Sequence, residues 1–194
     1  MITKNEWWST PLWEINTNFD EYFNLCFKNE LLDLIGASEH NKSVDIWTID
    51  SDYCTQLKNK IYEVMDLVLP EHFSNYHELK PFISNGWVNQ QKPGQSFPLH
   101  GHGESLIACV YYIEAYENSG DLLVVDPRGS AVWDLNVENG VNSVKYKRIK
   151  PKTGKMVLFP SYVLHSVEEN KSDKTRISIA TNIHIPTKYY TNDR

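Results

Sequence analysis

Leu106-Ile107-Ala108-Cys109-Val110-Tyr111-Tyr112-Ile113, closed by the turn residues Asn118-Ser119-Gly120 and followed by Leu122-Leu123-Val124-Val125, is the stretch on which the fold turns. Short apolar runs rich in β-branched and aromatic residues, separated by Gly, Asn and Pro, read as strands joined by tight turns. The same rhythm holds from about Phe82 onward. Gly86-Trp87-Val88-Asn89, Met156 to Phe159 and Ile177 to Ile183 are strand-like, and Pro93-Gly94, Pro127-Arg128-Gly129, Asn139-Gly140 and Thr153-Gly154 mark turns. Many short strands with this punctuation predict a sandwich or jelly roll.

The first third of the chain has a different period. Phe19, Phe23, Leu25, Cys26, Phe27, Leu31, Leu32 and Ile35 recur at helical spacing, and Gly36 follows where a C-terminal cap would sit. A second helix is predicted from a cap at Asp50 or Ser51 through Leu57, Ile61, Val64, Met65 and Val68, ending at Pro70. The reading is mainly β with N-terminal helices: residues 1–80 as helical support and 82–184 as the β core of a single domain, 1–194. A chain of 194 residues is the size of one domain, and it shows no internal repeat, low-complexity segment or linker.

Composition narrows the function classes. An apolar share of 41% with 12% aromatic residues is globular rather than disordered. Nineteen Lys plus Arg against 25 Asp plus Glu leave a net charge of −6, so the surface repels polyanions and nucleic acid is not an expected partner. The run Lys145, Lys147, Arg148, Lys150, Lys152, Lys155 reads as a solvated hairpin face, with a small anionic ligand as the alternative. Cys26, Cys54 and Cys109, odd in number and widely spaced, suit buried thiols in a reducing compartment rather than a disulfide framework. Met1 to Trp8 lacks the features of a signal peptide, and no apolar run approaches the ~20 residues that span a bilayer. These readings lead to the expectation of a soluble cytoplasmic protein without a membrane partner, its oligomeric state open.

Of seven histidines, two stand at i and i+2 in Phe97-Pro98-Leu99-His100-Gly101-His102-Gly103. Strand alternation would send both imidazoles to one face, where they can share a metal ion, although two polar side chains on a strand face are commonly just solvated. His165 follows the buried-looking run Lys155-Met156-Val157-Leu158-Phe159-Pro160 and makes a third ligand conceivable. Eleven residues further on, Arg176 opens a strand in which Arg176, Ser178 and Ala180 alternate with Ile177, Ile179 and Thr181. A guanidinium in such a strand is costly unless an anion pairs with it. The partner is either a structural carboxylate such as Asp173 or Glu168, or a dicarboxylate ligand held by the planar fork. His40, His72, His77 and His184 read as solvated or hydrogen-bonded, Asp126 and Arg128 as a turn ion pair, and Trp87 and Asn89 as core or pocket wall.

In their order these residues resemble the iron(II)- and 2-oxoglutarate-dependent oxygenase superfamily. His100-Gly101-His102, His165, Arg176 and Ser178 stand where that superfamily has its metal-binding pair, distal histidine and Arg-x-Ser. Val110-Tyr111-Tyr112-Ile113 is similar to the Tyr-Tyr-Leu strand of prolyl hydroxylases, Ser119-Gly120-Asp121-Leu122 to the turn after it, and Gly154 to His165 to the block ending in the distal histidine. A phage and bacterial subgroup shares Trp87-Val88-Asn89, Asp126-Pro127-Arg128 and Phe159-Pro160-Ser161 as well. The resemblance covers roughly residues 82–184. It implies a double-stranded β-helix, Fe(II) held by His100, His102 and His165, and 2-oxoglutarate held by Arg176 with help from Ser178 and Tyr112. It also implies hydroxylation of a primary substrate, not identified by the sequence, at the expense of O2.

One position departs from the superfamily. Its usual carboxylate ligand is His102 here, which leaves the metal one unit more positive than two histidines and a carboxylate would. Glu104 could supply an oxygen if the strand bends at Gly103, with His102 then outside the metal's own ligands. Two rivals remain: a cupin-like three-histidine metalloenzyme, such as a thiol dioxygenase, that does not use 2-oxoglutarate, and a non-catalytic jelly-roll binding or structural module.

Overall fold

The apolar runs do form strands, and most extend past the predicted bounds because pairing on both sides recruits polar flanking residues. In this computed structural model, which describes residues 10–35, 40–41, 44–128 and 146–186, the order is β1 (Trp13–Asn16), α1 (Glu21–Ile35), β2 (His40–Asn41), a 3-10 turn (Ile46–Thr48), α2 (Asp52–Val68), a second 3-10 turn (Leu69–Glu71), α3 (Tyr76–Leu79), β3 (Phe82–Gln91), β4 (Phe97–His100), β5 (Ile107–Glu114), β6 (Leu122–Val125), β7 (Tyr146–Ile149), β8 (Lys155–Pro160), β9 (His165–Val167) and β10 (Arg176–His184). One sheet has the order β1-β8-β5-β10-β3-β2, the other β4-β9-β6-β7, and every pairing is antiparallel. This is the double-stranded β-helix. Gly36, Gly129, Asn139-Gly140 and Lys145 lie outside the described residues.

Both helices start where a side chain caps them. Asp20 Oδ1 accepts from the Phe23 N–H at 2.7 Å, and Ser51 Oγ accepts from the Cys54 N–H at 3.2 Å. Pro70 does not simply stop the chain: it lies in the 3-10 turn that continues α2. Phe23, Phe27 and Leu31 of α1 and Leu57, Ile61, Val64 and Met65 of α2 are buried at helical spacing. They pack with Cys109, Tyr111, Ile113, Met156, Leu158, Ile177, Ile179 and Ile183 in one core on the outer face of the large sheet. Each of these large side chains contributes about 1.5–3 kcal/mol by leaving water. Specific bonds pin this layer. Tyr111 Oη donates to Asn24 Oδ1 at 2.5 Å, and Trp47 Nε1 donates to Thr181 Oγ1 at 2.9 Å. Gly86 is required under Trp47, since a Cβ there would lie 2.3 Å from its Nε1.

The opposite faces of the same strands build the interior between the sheets. Ala108, Tyr112, Val157 and Phe159 pack there with Leu122, Val124, Ile149 and Val163. Strands covered on both faces are apolar throughout, which is why β5 and β8 read as unbroken apolar runs. Of the three free cysteines, Cys54 and Cys109 are buried while Cys26 is only half-buried. The basic hairpin strand β7 exposes Tyr146, Lys147 and Arg148 and buries Ile149. Among the described residues no helix is long and apolar enough to cross a membrane.

Candidate active site

Strand β4 ends at His100, so His102 is not in a strand: it stands just before the turn at Gly103 and Glu104, its N–H donating to Ser161 O at 3.0 Å. The expected alternation therefore is not what brings the two imidazoles together. The bond to Ser161 O holds His102 just past the strand end, and on the other side His100 is paired across the sheet with His165 of β9. Ring centroids of His100 and His165 are 4.1 Å apart and those of His102 and His165 5.2 Å, and one ligand atom from each of the three lies within 4.8 Å of the others. Glu104 is exposed and outside this cluster.

The imidazoles are oriented by the backbone. His100 Nδ1 lies 2.8 Å from Pro98 O and His165 Nδ1 3.1 Å from Val163 O. A neutral ring donating through Nδ1 presents the Nε2 lone pair, the form a metal needs. His165 is 4% exposed, and burial, reinforced by the two neighbouring histidines against its Val163 bond, pushes its pKa down to about 4. It is neutral at physiological pH. The Trp87 ring stacks on His102 at 5.8 Å.

Arg176 is 3% exposed and shares one cavity with the histidines, Tyr112 and Ser178, about 360 Å³ in volume. The carboxylate pairing weighed from the sequence is not what holds it, since Glu168 pairs with Arg148 instead. Arg176 Nη1 donates to Gly120 O at 2.9 Å and Nη2 to Gln91 Oε1 at 2.5 Å, while Nε is buried without a partner. Burial without a neighbouring anion lowers its pKa, opposed by Tyr112, whose ring lies 5.7 Å from the guanidinium carbon. Tyr112 is itself pushed up to about 12 by burial, so it stays a neutral hydrogen-bonding phenol. Gln91, which the sequence reading passed over, has its amide nitrogen fixed by Gln95 O at 2.6 Å and Glu168 O at 2.9 Å. Its oxygen is thereby committed to Arg176. The signal for it is the alternation Asn85, Trp87, Asn89, Gln91 along β3, a polar face on a strand whose other face is buried.

The remaining histidines have ordinary neighbours. His72 packs edge-on against Trp13 at 5.2 Å, His77 against Tyr76 at 5.5 Å, and His184 stacks on Phe82 at 6.0 Å, while nothing is described of the His40 side chain. Asp126 and Arg128 form the expected turn ion pair at 2.5 Å.

Comparison with known proteins gives this geometry its class. Residues 85–182 match the sequence profile of the family described as "Putative 2OG-Fe(II) oxygenase". The chain belongs to that family, whose enzymes depend on Fe(II) and 2-oxoglutarate. Solved structures sharing the fold include iron-bound HygX from Streptomyces hygroscopicus (14% identity, TM-score 0.62, 90% of this chain and 82% of that one). A prolyl-4-hydroxylase from Pseudomonas putida is similar over 91% of this chain and 88% of its own (14% identity, TM-score 0.60). So is the viral collagen prolyl hydroxylase of Paramecium Bursaria Chlorella virus-1, over 94% and 98% (16% identity, TM-score 0.61). No curated protein matches the chain. The donor set fits the family's cofactors: three converging nitrogens suit Fe(II), and a buried guanidinium with an unpartnered Nε suits a carboxylate.

Proposed function

We propose that His100, His102 and His165 hold the Fe(II), and that Arg176, with Ser178 and Tyr112, receives the distal carboxylate of 2-oxoglutarate. The observation that carries this reading is that one cavity is lined both by the three imidazoles and by a buried guanidinium with no carboxylate within ion-pair distance among the described residues. When bound, ferrous iron and 2-oxoglutarate supply the O2 activation that puts one oxygen atom into a substrate C–H bond and converts 2-oxoglutarate to succinate and CO2. The chain's own residues bind, orient and exclude water. Gly120 O and Gln91 Oε1 fix the plane of the guanidinium, so a carboxylate meets a fork already in place. Val124, Phe159 and Val163 pack the interior around His165 and keep the site dry. With neutral imidazole in place of a ligand carboxylate, the resident charge opposing the anionic co-substrate is smaller, and electrostatic attraction to it correspondingly larger.

Succinate formation tests the reading. With Fe(II), 2-oxoglutarate, ascorbate and O2, the wild type forms succinate above His165→Ala and Arg176→Ala controls even without a primary substrate. Tight Fe(II) binding with neither 2-oxoglutarate binding nor succinate would replace this reading by the cupin-like one.

A further inference from the structure

Strands β3 and β10 lay a ladder of facing pairs along the floor of the site: Asn182 opposite Asn85, Ala180 opposite Trp87, Ser178 opposite Asn89 and Arg176 opposite Gln91. The pair that forms the guanidinium clamp is the last of the ladder, so strand pairing supports it from one side only. A single side chain supports it from the other. Asn170, in the loop between β9 and β10, is completely buried, although Glu169, Lys171, Asp173 and Lys174 around it are exposed. Its Nδ2 donates to Gln91 O at 2.8 Å and to Lys174 O, two residues before Arg176, also at 2.8 Å. Its Oδ1 accepts from the Ser172 N–H at 3.0 Å and the Ser172 hydroxyl at 2.7 Å. Since a backbone N–H can only donate, the amide cannot be turned the other way round. The Asn170 N–H donates to Gln95 O at 2.8 Å, and the Asn170 carbonyl accepts from the Gly94 N–H at 2.7 Å. Gln95 O also takes the side-chain nitrogen of Gln91.

We propose that Asn170 is a positioning residue for the co-substrate, holding Arg176 and Gln91 in the geometry that receives the distal carboxylate of 2-oxoglutarate. The inference rests on the Fe(II) and 2-oxoglutarate reading and adds a residue that does not line the cavity. Both halves of the clamp take their places from it. Gln91 is held at its backbone carbonyl by Asn170 Nδ2 and at its side-chain nitrogen by the carbonyl that the Asn170 N–H anchors, which leaves Gln91 Oε1 aimed at Arg176. Arg176 follows two residues after the carbonyl taken by the second Nδ2 hydrogen. An apolar side chain could bury the loop equally well, but only an amide offers two donors to carbonyls on both sides of the ladder's end while accepting from its own loop. Fork-to-fork recognition of a carboxylate is geometrically demanding, so a small displacement of the guanidinium costs affinity for the distal carboxylate and leaves the metal end untouched.

The test compares two 2-oxo acids on the anaerobic Fe(II)-loaded protein, each titrated by its metal-to-ligand charge-transfer band. 2-Oxopentanoate has the keto acid end and chain length of 2-oxoglutarate, with a methyl group where the distal carboxylate stands. The wild type is expected to prefer 2-oxoglutarate. Asn170→Asp sets oxygen against Gln91 O and Lys174 O, and should weaken 2-oxoglutarate binding about tenfold while 2-oxopentanoate and Fe(II) bind as before. Asn170→Ser, which also lacks the two donors, gives the same readout should the first variant not fold. Ser172→Ala removes a hydroxyl that ties the same loop but leaves both Nδ2 bonds in place, and should keep the wild-type preference. A purely structural role predicts otherwise: an unchanged preference in the Asn170 variants, equal weakening of both acids, or the same loss in Ser172→Ala would each overturn the proposal. A wild type with no preference for 2-oxoglutarate would overturn the Arg176 reading beneath it.

Discussion

The two ends of the β3–β10 floor are built from the same alternating pattern and finished differently. At one end Arg176 and Gln91 are buried and locked, every amide hydrogen of Gln91 spent on a backbone carbonyl. At the other, Asn85 is exposed, Asn182 is half-buried and one of its polar atoms has no partner. The closed end specifies its occupant within the chain itself, because a preorganised cation accepts little but a carboxylate. The open end leaves specification to whatever arrives.

On the proposed reading the imidazoles between the ends serve both, so their loss is the largest effect expected. His165→Ala should abolish stoichiometric Fe(II) or Co(II) binding and reduce succinate to background while circular dichroism stays native. Burial of His165 also sets a pH dependence. Its folded pKa of about 4 lies below the ordinary 6.5, so the unfolded chain takes up a proton first as pH falls. The metal-free protein should thus keep this contribution above pH 6.5 and lose on the order of 3 kcal/mol of stability by pH 4. Urea titrations of the wild type and His165→Asn check this, the variant showing the flatter dependence.

At the closed end, Arg176→Lys keeps the charge and loses the fork. Affinity for 2-oxoglutarate should weaken by about 1.5–3 kcal/mol, with metal binding retained. Gly120→Ala attacks the same end through the backbone. Gly120 has φ +92°, and a Cβ would lie 2.3 Å from Glu168 O, while its own carbonyl holds Arg176. The positive φ alone costs about 1–2 kcal/mol, and displacement of the carbonyl should weaken 2-oxoglutarate binding besides. The smallest effect belongs to the open end: Asn85→Ala should change stability by no more than about 0.5 kcal/mol in a thermal melt.

Much of this arrangement could be read before the fold was known, and what escaped has one physical cause. Apolar runs and turn residues located the strands because burial and punctuation are local properties. His100, His102, His165 and Arg176 were legible as residue types in order. The route by which His102 reaches the site was not, since His102 lies past the end of β4 and is held there by its bond to Ser161 O. Gln91 and Asn182 were missed because their meaning lies in cross-strand register. Gln91 meets Arg176 across 85 residues and Asn182 meets Asn85 across 97, and nothing local in the sequence sets that alignment.

The most direct test of the central claim is an anaerobic titration of the protein with Fe(II) and then 2-oxoglutarate, followed by the metal-to-ligand charge-transfer band. The band should appear at one equivalent of metal, need roughly ten- to hundredfold more 2-oxoglutarate in Arg176→Lys, and be absent in His165→Ala. A wild type that binds Fe(II) without developing the band, or a band equally strong at the same 2-oxoglutarate concentration in Arg176→Lys, would contradict it.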